Sequence, residues 1–400
     1  MPVKTFLKKN SEIDYVGQYY TGIGNVKNPG NFSISVHLNE TLHPELLQKA
    51  FHHLTHSFPF LRGKLKKGFF HYSHEITPKN ESIKKVEKPV AFNSYNAEGH
   101  TLQLTYNPYS FNLETTHALC DGRSLSELVA LLLERYFELL DETLYRRSFM
   151  LSTELRHELT ETALIKLPKT KATTDQKAGT SAYQISGEAR DVHTQSYTFS
   201  VKKIRQAAKS AEASINDFLL AYFFQTLGEE RKKEKQIDPI TTMVPIDLRQ
   251  HFPVKTLRNF VSRIGITVKK TEHISDIITS IQAQFSKITA ETLAAQHQEW
   301  QDEYKKIELL PLSIKKWFYQ RLTTQEENQC TTTFSNLGLI KLPENIEKRI
   351  RFAEFFIDQA DENPFSLSCV SVGDHLTLSA TSSLAESQIF DHLVSKLQQV

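Results

Sequence analysis

Across residues 102–136 the spacing of apolar side chains changes period, and that change limits what the chain can build. From Leu102 to Thr116 apolar and polar residues alternate, which is the pattern of a half-buried strand. Beyond it, Leu125, Leu128, Val129, Leu132, Leu133 and Tyr136 recur with the period of about 3.6 that marks a helix with one buried face. A strand that gives way to a helix so abruptly puts strands and helices side by side in one chain, as in the α/β (α+β) classes. The few residues between them, His117-x-x-x-Asp121-Gly122, lie where the strand ends and the chain turns.

Imidazole is the side chain whose ordinary pKa lies closest to working pH, so His117 can take a proton from a hydroxyl or an amine. The bland alternative is a core histidine with its hydrogen bonds satisfied. Asp121, four residues on and across a turn closed by Gly122, is poorly placed for a charge relay. It is assigned to holding the loop, through an arginine or backbone amides. Arg249 is the expected partner, because a guanidinium grips a carboxylate at two points; Arg123, Arg258 and Arg263 are its rivals. Cys120 lies inside the motif, and a small buried thiol there is expected only to pack.

At 400 residues the chain is long for one core, so two lobes are expected. Lys plus Arg, 48, nearly balances Asp plus Glu, 46, which leaves no global field to draw in nucleic acid or an anionic membrane. A phosphate-bearing partner must then be met by a local patch. The three cysteines, Cys120, Cys330 and Cys369, are odd in number and far apart, which offers no disulfide frame or zinc spacing and suits a reducing compartment. His52 and His56 are one helical turn apart but lack an evident third ligand, so no metal is expected. The first residues lack the apolar core of a signal peptide, and no run of about 18 uncharged apolar residues occurs, so a cytoplasmic monomer without a transmembrane segment is expected.

Taken in order, Asn31–Leu38 alternates as a strand, and a helix follows from Pro44 and ends by Pro59. Residues 60–65 and 69–72 read as a hairpin. Residues 168–195 are thin in apolar side chains. This gives an N-terminal lobe of residues 1–170 carrying the histidine motif, a crossover at 171–195 and a C-terminal lobe of 196–400. The second lobe opens with a strand at 196–201, then helices from Lys202 and from an N-cap at Ser214 or Asn216, and a strand at 240–244. One long helical region, about 274–318, breaks near Pro311. Its charge run, DEYKKIE, reads as a solvated helix face. Strands at 331–335, 350–356, 365–372 and 375–381 and a helix over 385–399 finish the chain.

The stretches ELLQKAFHHLTHSFPFLRGKLKKGFFHY, LETTHALCDGRSLSEL, SINDFLLAYFFQTL, VPIDLRQHFPVKTLRNFVSRIG and TTFSNLGLIKLP, in this order, resemble the condensation-domain and chloramphenicol-acetyltransferase-like acyltransferases. Bacterial alcohol-acetyltransferase-like members are nearest. Thr116 stands where many members have a first histidine, and the plant branch's C-terminal Asp-Phe-Gly-Trp-Gly signature is absent. The resemblance implies two chloramphenicol-acetyltransferase-like lobes with mixed sheets, flanking helices and an active-site tunnel at their interface. It implies an acyl thioester co-substrate, on coenzyme A or on the phosphopantetheine of an acyl carrier protein, with no permanently bound cofactor. A small-molecule or lipid alcohol or amine would be the acceptor and His117 the general base. A tetrahedral intermediate needs a donor at its oxyanion. Ser335 and Asn336 are the candidates; on a regular strand at most one can face the tunnel, and both suit an ordinary strand end equally well. A non-catalytic docking protein of the same fold and an amide-forming condensation enzyme remain alternatives. A serine hydrolase has no support, for there is no Gly-x-Ser-x-Gly elbow.

Overall fold

The computed structural model describes residues 10–24, 30–77, 83–87, 99–143, 153–170, 181–358, 363–385 and 388–400. The first half holds strands β1 (Asn10–Glu12), β2 (Asn31–Leu38), β3 (Lys64–Lys67), β4 (Tyr72–Glu75), β5 (Lys84–Lys85), β6 (Leu102–Asn107) and β7 (Ser110–Thr116). Its helices are α1 (Tyr15–Ile23), α2 (Pro44–Ser57), α3 (Gly122–Asp141) and α4 (Thr153–Thr160). The second half opens with β8 (Ala189–Ser200), α5 (Val201–Ser210), α6 (Ile215–Lys233), β9 (Ile240–Asp247) and β10 (Val261–Val268). Then come α7 (Ile274–Phe285), α8 (Ala290–Ile307), α9 (Leu312–Asn328), β11 (Thr332–Leu339), α10 (Glu344–Glu347), β12 (Ile350–Ile357), β13 (Phe365–Val372), β14 (His375–Leu384) and α11 (Ile389–Gln398).

Two sheets organise the molecule. One runs β12-β2-β7-β6-β5, the other β10-β9-β11-β13-β14-β8, and a small sheet β1-β4-β3 stands apart. Parallel pairs β9/β11 and β11/β13 mixed with antiparallel neighbours make the larger sheet mixed. Each sheet has its own core: Ile34, Val36, Leu54, Leu113, Leu128 and Leu132 lie in one, Phe223, Phe334, Leu367, Leu378 and Leu393 in the other. The helices begin where polar caps allow. Asp121 accepts from Ser124 N at α3, Ser200 from Lys203 N at α5 and Ser214 from Asp217 N at α6.

Several elements depart from the sequence reading. The alternating segment 102–116 is two strands, because Asn107 Oδ1 accepts from Tyr109 N (2.9 Å) and Ser110 N (2.8 Å) and so closes a turn around Pro108. The first hairpin sits about three residues later than expected, since Pro59–Leu61 forms a short 3-10 turn after α2. β8 starts at Ala189, inside the expected crossover, as a largely exposed polar edge strand with no apolar alternation to announce it. The long helical region is broken a second time: Thr289 caps α8 with a reciprocal Thr289–Thr292 box, and α9 runs on to Asn328. The residues 171–180 of the crossover lie outside the described residues.

Division at the crossover is also incomplete. β12, from the second half of the chain, pairs antiparallel with β2 and forms the edge of the first sheet. Its backbone is also gripped from the second sheet, where Ser366 Oγ donates to Ile357 O (3.3 Å) and Ser368 Oγ to Phe355 O.

Candidate active site

A cavity of about 2080 Å³ lies between the two sheets. Asn31, Phe32 and Phe355 reach it from the first, Pro245, Ser262 and Ser335 from the second, and α1, α8 and α9 supply Tyr20, Tyr304 and Trp317. His117, Asp121, Gly122, Arg249, Ser335 and Asn336 all border it. Ligand sites usually occupy a few hundred to about 1,000 Å³, so this space holds more than one small reactant.

His117 sits in the turn between β7 and α3, where Leu119 N and Cys120 N both point back to Thr116 O. Three neighbours fix its ring. Tyr20 stacks on one face with centroids 4.2 Å apart and 20° between planes, and Phe32 tilts against it at 4.8 Å. Asn259 lies 3.2 Å from Nδ1 through its Oδ1. The amide nitrogen of Asn259 is committed elsewhere, to His117 O (2.7 Å) and to both oxygens of Asp14 (3.1 Å each). Oδ1 is therefore the atom that faces the imidazole, and it can only accept. The proton belongs on Nδ1, which leaves the lone pair on Nε2, an atom with no hydrogen-bond partner among the described residues. Burial lowers the pKa of His117, with Arg263 adding to the effect, against the opposing pull of Asn259 and Asp121. Burial thus favours the neutral ring.

Asp121 serves another purpose. It is the N-cap of α3: Oδ1 accepts from Ser124 N (2.8 Å), and Oδ2 from Phe260 N (2.7 Å) and Arg249 Nη1 (3.0 Å). Burial alone would raise its pKa, but Arg249 and these two amides outweigh burial and hold the carboxyl below its ordinary value. Arg249 spends its other hydrogen bonds on Asp247 (2.9 Å), Ser124 Oγ (2.8 Å), Thr256 O (3.0 and 3.1 Å) and Arg258 O (2.9 Å). This cluster staples the β9–β10 connection to the start of α3. No hydrogen bond joins Asp121 to His117 among the described residues. At Gly122 a Cβ would come within 2.9 Å of the tip of the Leu337 side chain, which would have to move aside. Gly17 on α1 is the stricter case, for a Cβ there would stand 2.7 Å from the backbone oxygen of His117.

The other arginines are placed differently. Arg123 pairs with Glu127 (2.6 Å), Arg263 pairs with Glu326 (2.6 Å) beside Tyr19 and Trp300, and Arg258 lies buried against Phe60. Ser335 and Asn336 both border the cavity; they pair regularly with Ser368 and Cys369, and the register of β11 against β13 shifts only beyond Asn336. Asn336 is engaged, donating to Asn216 Oδ1 (3.3 Å) and accepting from Gly338 N (2.9 Å). The Ser335 hydroxyl has no partner among the described residues. Cys120 is fully buried, and burial pushes its thiol up to about 12. His52 and His56 are exposed on α2, with rings 6.2 Å apart.

Sequence reasoning left three residues of this site without a role: Asn259, Asp14 and Tyr20. Asn259 was visible as the asparagine before β10, but its two-way hydrogen bonding requires α1 and the histidine turn to meet in space. Nothing local in the sequence marks Asp14, whose pKa is raised by burial against the pull of Arg258, Gly17 N and Asn259.

Whole-chain comparisons define the class of fold first. The first condensation domain of the CDA synthetase matches with a TM-score of 0.60 at 10% identity, covering 98% of this chain and 95% of that one. Polyketide synthase associated protein 5 from Mycobacterium tuberculosis matches with a TM-score of 0.63 at 14% identity, covering 97% and 96%. The F. sporotrichioides protein TRI101, solved with coenzyme A and T-2, matches with a TM-score of 0.55 at 12% identity, covering 98% and 97%. The fold is thus the two-lobed one of condensation domains and chloramphenicol-acetyltransferase-like acyltransferases. Residues 147–400 match the alcohol acetyltransferase family model, and the chain belongs to that family. No curated protein matches it by sequence.

Proposed function

We propose that the protein moves an acyl group from a thioester, of coenzyme A or of a carrier protein's phosphopantetheine, to a hydroxyl or amine acceptor, with His117 as general base. The observation that carries this reading is the free Nε2 of a neutral, oriented imidazole at a cavity large enough for two reactants. The acceptor's proton passes to Nε2 while its oxygen or nitrogen bonds to the thioester carbonyl carbon. The carbon–oxygen π pair moves to the oxyanion, which Ser335, with its unengaged hydroxyl, is better placed to meet than Asn336. Collapse breaks the carbon–sulfur bond, and the imidazolium returns the proton to the departing thiolate. Holding both substrates at once makes an acyl-enzyme unnecessary. Alcohol acceptors are favoured over amines by family membership.

The working unit in this reading is a monomer of two lobes, 1–170 and 196–400, joined across 171–195, acting in the cytoplasm. Among the described residues no helix is long and apolar enough to cross a membrane. The experiment is thiol release from acyl-coenzyme A on addition of alcohols of increasing length, with product ester followed by mass. Ester formation that disappears in the His117→Ala protein supports the proposal. Release of thiol without ester, or turnover that survives the substitution, defeats it.

A further inference from the structure

The β3–β4 hairpin ends in Lys66-Lys67-Gly68-Phe69-Phe70-His71, and all six residues are exposed. Phe69 is 71% exposed, and its ring meets that of Phe70 edge-on at 4.8 Å. The tip is tied to the start of α9: Leu312 N donates to Phe69 O at 2.8 Å, and Lys316 lies over the Tyr72 ring at 5.9 Å. It therefore has a fixed place beside the α8–α9 turn, where Leu309 is 83% exposed.

Helix α9 continues the surface. Leu312 and Tyr319 are buried, while Ile314, Trp317 and Leu322 face outward, with Trp317 55% exposed. The helix thus carries a second apolar face with no protein against it among the described residues, contiguous with the aromatic tip. Apolar patches of this kind on a globular protein mark a partner. The charge around it selects which. Residues 305–322 contain five basic side chains, of which only Lys315 is buried, and one acidic, in a chain whose net charge is only +2. Lys305 and Lys306 pair back to Asp302 and Glu303, but Lys67, Lys316 and Arg321 have no carboxylate partner among the described residues. Protruding aromatic and aliphatic side chains rimmed by free cations suit a surface with an apolar interior and anionic headgroups.

We propose that this face docks reversibly on anionic phospholipid bilayers. Ile307, Leu310, Trp317 and Leu322 border both the patch and the cavity that holds His117, so a reactant dissolved in the bilayer enters without crossing water. The lipophilic character this assigns to a substrate rests on the acyl-transfer reading; the docking itself does not.

The test is flotation of the whole protein with phosphatidylcholine vesicles and with phosphatidylcholine–phosphatidylglycerol vesicles, together with tryptophan emission. The chain has two tryptophans, and Trp300 packs against His297, so a blue shift lost in Trp317→Phe reports on the docking face. The expected result is flotation with the anionic vesicles only, reversed by salt, and weakened about tenfold or more in Phe69→Ser/Phe70→Ser and in Lys67→Glu. Neither variant touches the cavity, so thiol release with a short soluble alcohol stays at the parent rate and certifies folding. Absence of flotation, equal flotation with neutral vesicles, or self-association abolished by Phe69→Ser/Phe70→Ser overturns docking whatever the acyl-transfer assay gives. Flotation by a protein inactive toward thioesters would remove the transfer reading and leave the docking in place.

Discussion

Two polar clusters meet at the histidine turn, and they differ in one respect. Around Arg249 every strong hydrogen-bonding group is occupied: the guanidinium has carboxylate, hydroxyl and carbonyl partners, and the Asp121 carboxylate has two amides besides. Around Asn259 the network runs from Asp14 through the amide to the imidazole and stops, with Nε2 unmatched. Saturation fixes a backbone, whereas an open valence on a fixed ring is what chemistry requires. Asp121 and His117 share a motif in sequence but belong to different clusters in space.

The contrast is broken most severely at the open valence. His117→Ala is expected to lower kcat/KM by about two to four powers of ten while the protein still folds, since it removes the proposed proton acceptor and leaves both clusters' backbone contacts standing. Arg249→Ala is expected to act the opposite way, costing roughly 3–5 kcal/mol of stability in urea unfolding, because it leaves the buried Asp121 charge without its counterion. Asp121→Asn keeps the α3 cap but loses that charge pairing, so its melting temperature falls too; a stable but dead variant would give Asp121 a direct chemical part.

Asn259→Ala probes the link between the clusters. Losing the partner that sets the tautomer should lower kcat about 10–100-fold while KM changes little. An equal loss through KM alone would make Asn259 a binding residue instead. The smallest effect is in pH. Burial depresses the His117 pKa, so the acid limb of kcat/KM should lie below the ordinary imidazole value of about 6.5, and lower still without Asn259. Asp121 titrates low in the folded state; its stabilisation is complete above the unfolded value of about 3.9 and is lost as pH falls through the lower folded value. A limb at or above 6.5 would mean that the histidine is not held neutral.

What was legible in the sequence was whatever is encoded locally. The periods of β2, α2, α3 and β13 appear directly in their apolar residues, and caps such as Ser214 mark helix starts. The motif's place at a strand-to-helix turn follows from the same pattern. The start of β8 is not legible because an edge strand with few apolar side chains has no period to read, and the 102–116 hairpin reads as one strand because the alternation on either side masks the short turn that Asn107 closes. Ser335 and Asn336 cannot be ranked from sequence, since what separates them is the engagement of Asn336 by Asn216, 120 residues away, and by Gly338 N. Asn259 and Asp14, 245 residues apart, gain meaning only from each other.

The placement of β12 has a bearing on how the molecule is made. A ribosome delivers β2, β6 and β7 long before residues 350–357 exist, so the nascent first sheet waits with the β2 edge uncovered while more than two hundred residues are added. The histidine turn belongs to that unfinished half. Its surroundings are completed only when residues 350–357 reach back to β2, which ties the assembly of the candidate site to the synthesis of a strand far along the chain.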